Sequence, residues 1–331
     1  MIQPEANAKT WFEAFREEFV QCWRRTPFKG LFFGLLGAWI VLFHFLGNST
    51  LGYIPTPSLF SWLSYSYDNS ADDQHGYLIP LVVLALMWWK RQELMAVRKD
   101  HWWPGLFLLL LALVIHLAGY MVQQTRVSVV GFFAGLYALM GIVWGCSWLK
   151  ATFFPFFLFA FCVPIATLSE PLTFPLRMVA TQITSFISSV GLGINVVCSG
   201  TLITDGNGTY QYEVAAACSG IRSMTAIFAI ALVYGFVVFQ SPWKRLAMVA
   251  SAFPLAVVAN VVRLCMIIIA AEAFGQSAGN YVHESGWLSL LPYLPALGGV
   301  LLLGYCLKAK DPHASQSGPA RGLMEQASLN S

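Results

Sequence analysis

Pro104–Val122 reads PGLFLLLLALVIHLAGYMV, an apolar run without a single Asp, Glu, Lys or Arg. As a helix rising about 1.5 Å per residue, it matches a hydrocarbon core of about 30 Å. In lipid a run of this kind must satisfy its own backbone hydrogen bonds, which only a helix does within one segment. Seven more stretches read the same way: Phe28–Leu46, Tyr77–Trp89, Val127–Trp148, Ala151–Leu168, Ile221–Phe239, Leu246–Phe274 and Trp287–Leu307. The second is short unless it begins near His75. The seventh is long and holds Pro254, which predicts a kink or a break. Of the 331 residues, 57% are hydrophobic and 11% charged, against about 25% charged in a soluble domain. The expected fold is all-α: a polytopic integral membrane protein of about eight transmembrane helices. Trp88, Trp89, Trp148 and Trp287 lie near span ends, where interfacial aromatics belong.

Basic residues set the orientation. Arg24, Arg25 and Lys29 precede the first span, and Lys90, Arg91, Arg98 and Lys99 follow the second. Lys150, Lys244, Arg245, Lys308 and Lys310 fall on the same side of an eight-span alternation. The positive-inside rule makes that side cytoplasmic, with both termini inside a plasma (inner) membrane. Four basic residues fall elsewhere: Arg126, Arg177, Arg222 and Arg263. The first two read as outer-loop residues with no special role. At the N-terminus, Glu5, Glu13, Glu17 and Glu18 argue against a signal peptide. Trp11, Phe15, Phe19 and Trp23 recur four apart, so residues 1–27 read as an amphipathic helix on the cytoplasmic surface. The transmembrane domain then covers 28–310, and 311–331, rich in Ser, Gly, Ala and Gln, reads as a disordered cytoplasmic tail.

Between the fifth and sixth spans, Thr173–Ile194 has helical apolar spacing interrupted by Arg177, Gln182 and serines, which suits a helix lying along the interface. Two β-prone runs then flank Asp205-Gly206-Asn207-Gly208, a turn signal that predicts a short outer β-hairpin ending at Cys218. Seven cysteines include no C-x-x-C, and Cys146, Cys162, Cys265 and Cys306 sit in apolar runs as small packing residues. His44 and His116 lie inside spans with no carboxylate near in sequence, so packing or a backbone hydrogen bond explains them. Asp72, Asp73 and His75 form a polar cluster whose spacing matches no strong metal-ligand pattern. Asn48-Ser49-Thr50 and Asn207-Gly208-Thr209 are formal glycosylation sequons.

Chemistry concentrates at three places. Cys218 and Arg222 stand where a polar segment enters the sixth span, within Ala217-Cys218-Ser219-Gly220-Ile221-Arg222. Arg263, in Asn260-Val261-Val262-Arg263, follows Lys244 by a distance of about 27 Å along a helix. It therefore returns almost to the outer boundary of the membrane. His283 lies in the loop before the last span. A thiol, an imidazole and a guanidinium thus reach one depth. A thiolate is the nucleophile of cysteine chemistry, and a cationic neighbour favours it. An imidazole moves protons near neutral pH, and an arginine offers a planar fork of donors to an oxyanion.

These residues resemble the exosortase/archaeosortase family, whose pattern has an Ala-Cys-Ser-Gly block opening one span, Asn-x-x-Arg in the next, and a histidine in the following outer loop. Here they are Ala217–Gly220, Asn260–Arg263 and His283, and His75-Gly76-Tyr77 with Trp89-Lys90-Arg91 also look like the family. The resemblance runs from about residue 75 to the end of the last span. It implies a membrane cysteine transpeptidase or protease with Cys218 as nucleophile, His283 as acid–base partner and Arg263 as stabiliser. Arg222, Ser219 and Asn260 are the neighbouring candidates for holding substrate. The implied partners are exported proteins ending in a recognition motif, a transmembrane helix and a basic tail, in a setting of membrane lipid. No cofactor, metal or nucleic acid is implied. Two other classes remain open on the residues alone: a transporter or channel component with an arginine-lined anion path, and a membrane glycosyl- or lipid-transferase.

Overall fold

The computed structural model describes residues 11–70, 72–206, 208–213, 221–285, 288 and 291–309; for 11, 166–170, 172–173, 213, 221–224, 284 and 309 it describes the backbone alone. Thirteen α-helices and one small sheet occur among the described residues, and the chain divides into two compact units, 1–165 and 166–331. Among the described residues, three helices are long and apolar enough to cross a membrane, and five shorter apolar helices accompany them.

The first unit opens with α1 (Trp11–Arg25), α2 (Lys29–Leu46) and α3 (Leu59–Asp68). A 3-10 turn (Gln74–Tyr77) leads into α4 (Ile79–Trp89), α5 (Arg91–Ala96), α6 (Gly105–Met121), α7 (Thr125–Trp144) and α8 (Cys146–Phe157). Its core is aromatic: Trp39, Phe43, Phe132, Trp144 and Trp148 are all buried together. The Trp39 indole donates to the Phe132 carbonyl at 3.0 Å, and a Cβ added at Gly135 would overlap that indole. At Gly131 an added Cβ would lie 2.9 Å from the Ala112 carbonyl oxygen, so α6 and α7 meet backbone to backbone. The aromatic stripe of α1 docks on α4, with Phe15 4.8 Å from Trp88, and Arg91 pairs with Glu18 at 2.6 Å.

Several span boundaries differ from the hydropathy reading. α7 ends at Trp144 because Gly145 adopts φ +94°, close against the Asp100 carbonyl, so Cys146–Trp148 begin the next helix. α8 runs on through a 3-10 turn to Cys162 and stops before Pro164, which drives Val163 extended. Ala166–Leu168 therefore open the following helix rather than closing the fifth span.

The second unit comprises α9 (Ala166–Phe186), strands β1 (Val196–Ser199), β2 (Leu202–Asp205) and β3 (Gln211–Glu213), then α10 (Ile221–Val238), α11 (Pro242–Phe274), α12 (Gln276–Glu284) and α13 (Tyr293–Ala309). The strands form an antiparallel sheet in the order β1-β2-β3, with Val196 opposite Asp205 and Leu202 opposite Glu213. β1 and β2 turn at Gly200, φ +64°. The β2–β3 turn is held by Asp205, whose carboxylate accepts from the Thr209 N–H at 2.6 Å and the Thr209 hydroxyl at 2.7 Å. α11 is one continuous helix of 33 residues; Pro254 removes a single backbone donor and the helix continues past it. α13 begins only at Tyr293, after Pro292, six residues beyond the sequence boundary. The core here is built on small residues, with Ala231, Ala252, Ala256, Ala259 and Ala296 around Ile227, Phe239 and Met248.

α9 is amphipathic as its spacing predicts, but inverted. Phe174, Val179, Ile183 and Phe186 are exposed, while Arg177, Thr181, Thr184 and Ser188 are buried. Arg177, read above as an outer-loop residue without a role, is only 5% exposed and lies 5.8 Å from the Phe174 ring. A helix in lipid turns its apolar face outward and keeps polar groups for the protein interior.

Candidate active site

Asn260 and Arg263 sit one turn apart on α11, and His283 lies near the end of α12. The two helices are joined by Gly275 alone, whose φ of +85° ends one helix and starts the next. The reversal returns His283 to the level of Arg263: Arg263 Nη2 donates to the His283 carbonyl at 3.3 Å. The contact is to the histidine's backbone, so it fixes the end of α12. Arg263 Nε is buried with no hydrogen-bond partner among the described residues. Asn260 is buried to 5% exposure. The guanidinium thus keeps donor capacity in a sheltered place, where a developing negative charge is stabilised most.

Cys218 and Ser219 lie outside the described residues, and Arg222 is described by its backbone alone, in the first turn of α10. Of the six candidates, the structure therefore brings Arg263 together with His283 and places Asn260 beside them on α11.

The sheet stands against the same helices. Val196 and Ile203 pack with Leu264 and Ile268, the turns of α11 that follow Arg263. Tyr210, 2% exposed, donates through Oη to Glu272 Oε2 at 3.1 Å, and Tyr212 Oη donates to the Gln276 carbonyl at 2.9 Å. Burial pushes both phenols above the ordinary tyrosine value; for Tyr210 the Glu272 carboxylate adds to it. None of these contacts is visible in the sequence, because they join residues about 60 positions apart.

A profile described as transmembrane exosortase matches residues 62–298, including the cysteine block, Asn260–Arg263 and His283. The chain belongs to the transmembrane exosortase family. No curated protein and no solved structure matches it. The family's general role is that of a membrane transpeptidase acting on exported proteins that bear sorting signals. The match begins at Trp62, earlier than the resemblance read from sequence, and so takes in most of α3.

That earlier start is intelligible in this exosortase, because α3 packs against the His75-Gly76-Tyr77 block. The Tyr67 hydroxyl donates to the Cys162 carbonyl, and a Cβ at Gly76 would overlap the Tyr67 ring. Tyr77 donates to Asp68 at 3.0 Å, and Asp73 accepts from the Ile165 N–H at 3.2 Å. Burial first, then the nearby Cys162 and Asp73, hold the Tyr67 phenol far above its ordinary range. The His75 ring pairs with the Asp72 carbonyl at 2.8 Å. This polar cluster is thus engaged in holding the chain together, and no metal-holding group of His, Cys, Asp and Glu occurs among the described residues. The remaining polar candidates also have structural partners. His44 Nδ1 lies 3.2 Å from the Ser58 hydroxyl, and His116 packs 4.5 Å from the Phe43 ring. Asn48 is 1% exposed and bonds Thr56, Thr50 and Thr125, so its sequon is closed to modification in the folded state; Asn207 lies outside the described residues.

Proposed function

We propose that this exosortase is a cysteine transpeptidase that cleaves exported proteins near their C-terminus, at the outer face of a plasma (inner) membrane. Eight spans cross that membrane with both termini inside; residues 28–310 form the membrane domain, preceded by a surface helix. The Cys218 thiolate attacks a backbone carbonyl of the substrate. Arg263 stabilises the oxyanion, and His283 gives a proton to the departing amide nitrogen, leaving a thioester on Cys218. An acceptor nucleophile then displaces Cys218, and its proton returns to His283; water in that place gives hydrolysis. Ser219, Arg222 and Asn260 line the approach of the substrate, which ends in a recognition motif, a transmembrane helix and a basic tail. No cofactor takes part.

The observation that carries this reading is the Arg263–His283 contact inside the segment matched by the family profile. The test uses a tagged substrate whose size is followed on a blot. Arg263→Lys keeps the charge but loses the planar fork, and processing should fall by about ten-fold or more at normal enzyme level. Cys218→Ala should abolish processing. Tolerance of Cys218→Ala, with sensitivity at Arg222 and Arg263, would favour the anion-path transporter instead.

A further inference from the structure

We propose that Tyr212 and Gly279, seconded by Tyr210 and Glu272, form a positioning clamp between the chain that delivers Cys218 and the helix that carries His283. The proposal rests on the reading of those two residues as the reacting pair.

The clamp lies where the two chains must be tied. β3 ends at Glu213, shortly before Cys218, and α12 begins at Gln276, two turns before His283. Tyr210 and Tyr212 are two apart at the start of β3, so both rings leave the same side, 5.9 Å from each other. Their acceptors, Glu272 and the Gln276 carbonyl, are four apart across the Gly275 junction. The two phenols therefore tie β3 to the end of α11 and to the start of α12. Gly279 completes the fit, because any Cβ there would overlap the Tyr212 hydroxyl and lie 2.8 Å from its ring carbon. Ile203, fully buried against Leu264 and Ile268, backs the sheet from behind.

Arg263 holds the other end of α12 through the His283 carbonyl. The helix is thereby pinned at its first turn by the strand and at its last by the arginine. Both phenols stay protonated donors at working pH, since burial raises them. Tyr210, Tyr212, Glu272 and Gly279 are not among the reacting groups proposed above. They act through placement, and a misplacement of about 1 Å at a reacting pair costs about 10²-fold in rate.

The test follows two readouts in the full-length enzyme in membranes: substrate processing, and the pH profile of Cys218 alkylation by a maleimide, read by mass spectrometry of its peptide. Gly279→Ala should slow processing by about ten-fold or more and move the apparent Cys218 pKa toward the free-thiol value of about 8.5. Tyr212→Phe, which adds no atom, should do the same to a smaller extent, by about three-fold. In a Tyr212→Leu background, Gly279→Ala should cost clearly less than in wild type, because the phenol is gone and only the Ala271 Cβ, 3.1 Å away, remains close. If Gly279→Ala fails to accumulate, Tyr212→Phe decides. An inactive Cys218→Ala beside clamp variants with unchanged processing and an unchanged alkylation profile overturns the clamp alone. An active Cys218→Ala overturns the clamp together with the cysteine reading.

Discussion

The two units meet the same solvent problem with opposite cores. Residues 1–165 bury Trp39, Phe43, Phe132, Trp144 and Trp148 against one another, while 166–331 bury Ala231, Ala252, Ala256, Ala259 and Ala296. Lipid gives helices no hydrophobic reason to associate, so packing and polar contacts must do it. Interlocked aromatics gain contact area; small residues let backbones approach. The second arrangement accompanies a polar interior. Arg177, Thr181 and Thr184 face inward on α9, Ser188 is buried in the turn after it, and Asn260 and Arg263 lie on α11. The candidate residues Cys218, Arg263 and His283 all fall within the numbers of this alanine-rich unit. The difference teaches that interlocked aromatics and closely packed small residues are two ways to hold helices together where the hydrophobic effect does not.

The comparison is broken most severely by truncating the aromatic core. Trp39→Ala removes a buried indole and its bond to Phe132, and should cost about 3–5 kcal/mol, seen as loss of protein from the membrane fraction. In the other unit the damaging change is the reverse one. Ala256→Leu adds bulk where helices touch and should cost about 1–3 kcal/mol, read as a lower melting temperature in detergent. Tyr67→Phe, at the junction of α3 with the Gly76 turn, loses one hydrogen bond and about 1 kcal/mol. The same phenol gives a pH signature. Its folded-state pKa is raised, so its stabilising contribution is fully present below about pH 10, the unfolded tyrosine value, and declines as the pH rises above it. Wild type should therefore lose stability above pH 10 more steeply than Tyr67→Phe, which has no proton to lose there. Cys306→Ala, at an exposed position, should change nothing measurable.

The apolar helices were legible because hydropathy reports the solvent directly. Their ends were not, because a backbone device sets each one. Gly145 at φ +94° moves Cys146–Trp148 into α8, and Pro164 closes the helix that hydropathy carried on to Leu168. α9 shows a different limit. Periodicity gives two faces, but which one turns inward depends on the surrounding solvent, and an interfacial helix and an inverted buried one share a pattern. Within the candidate site, residue counting along α11 brings Arg263 to the level of the segment that follows, but that segment, read as a loop, is helix α12, whose His283 carbonyl Arg263 bonds. The tyrosine contacts needed three segments folded at once, and a lone glycine at 279 gives no local sign that a phenol lies over it.

The most direct measurement of the central claim is to look for the covalent intermediate. Enzyme mixed with a substrate carrying a radiolabel on the retained side of the cleaved bond is quenched in acid and separated without thiols. The cysteine mechanism predicts a labelled enzyme band that hydroxylamine releases, that maps to the Cys218 peptide, and that Cys218→Ala never forms. Continued cleavage of substrate by Cys218→Ala at the wild-type rate, with no labelled band in either protein, would contradict it.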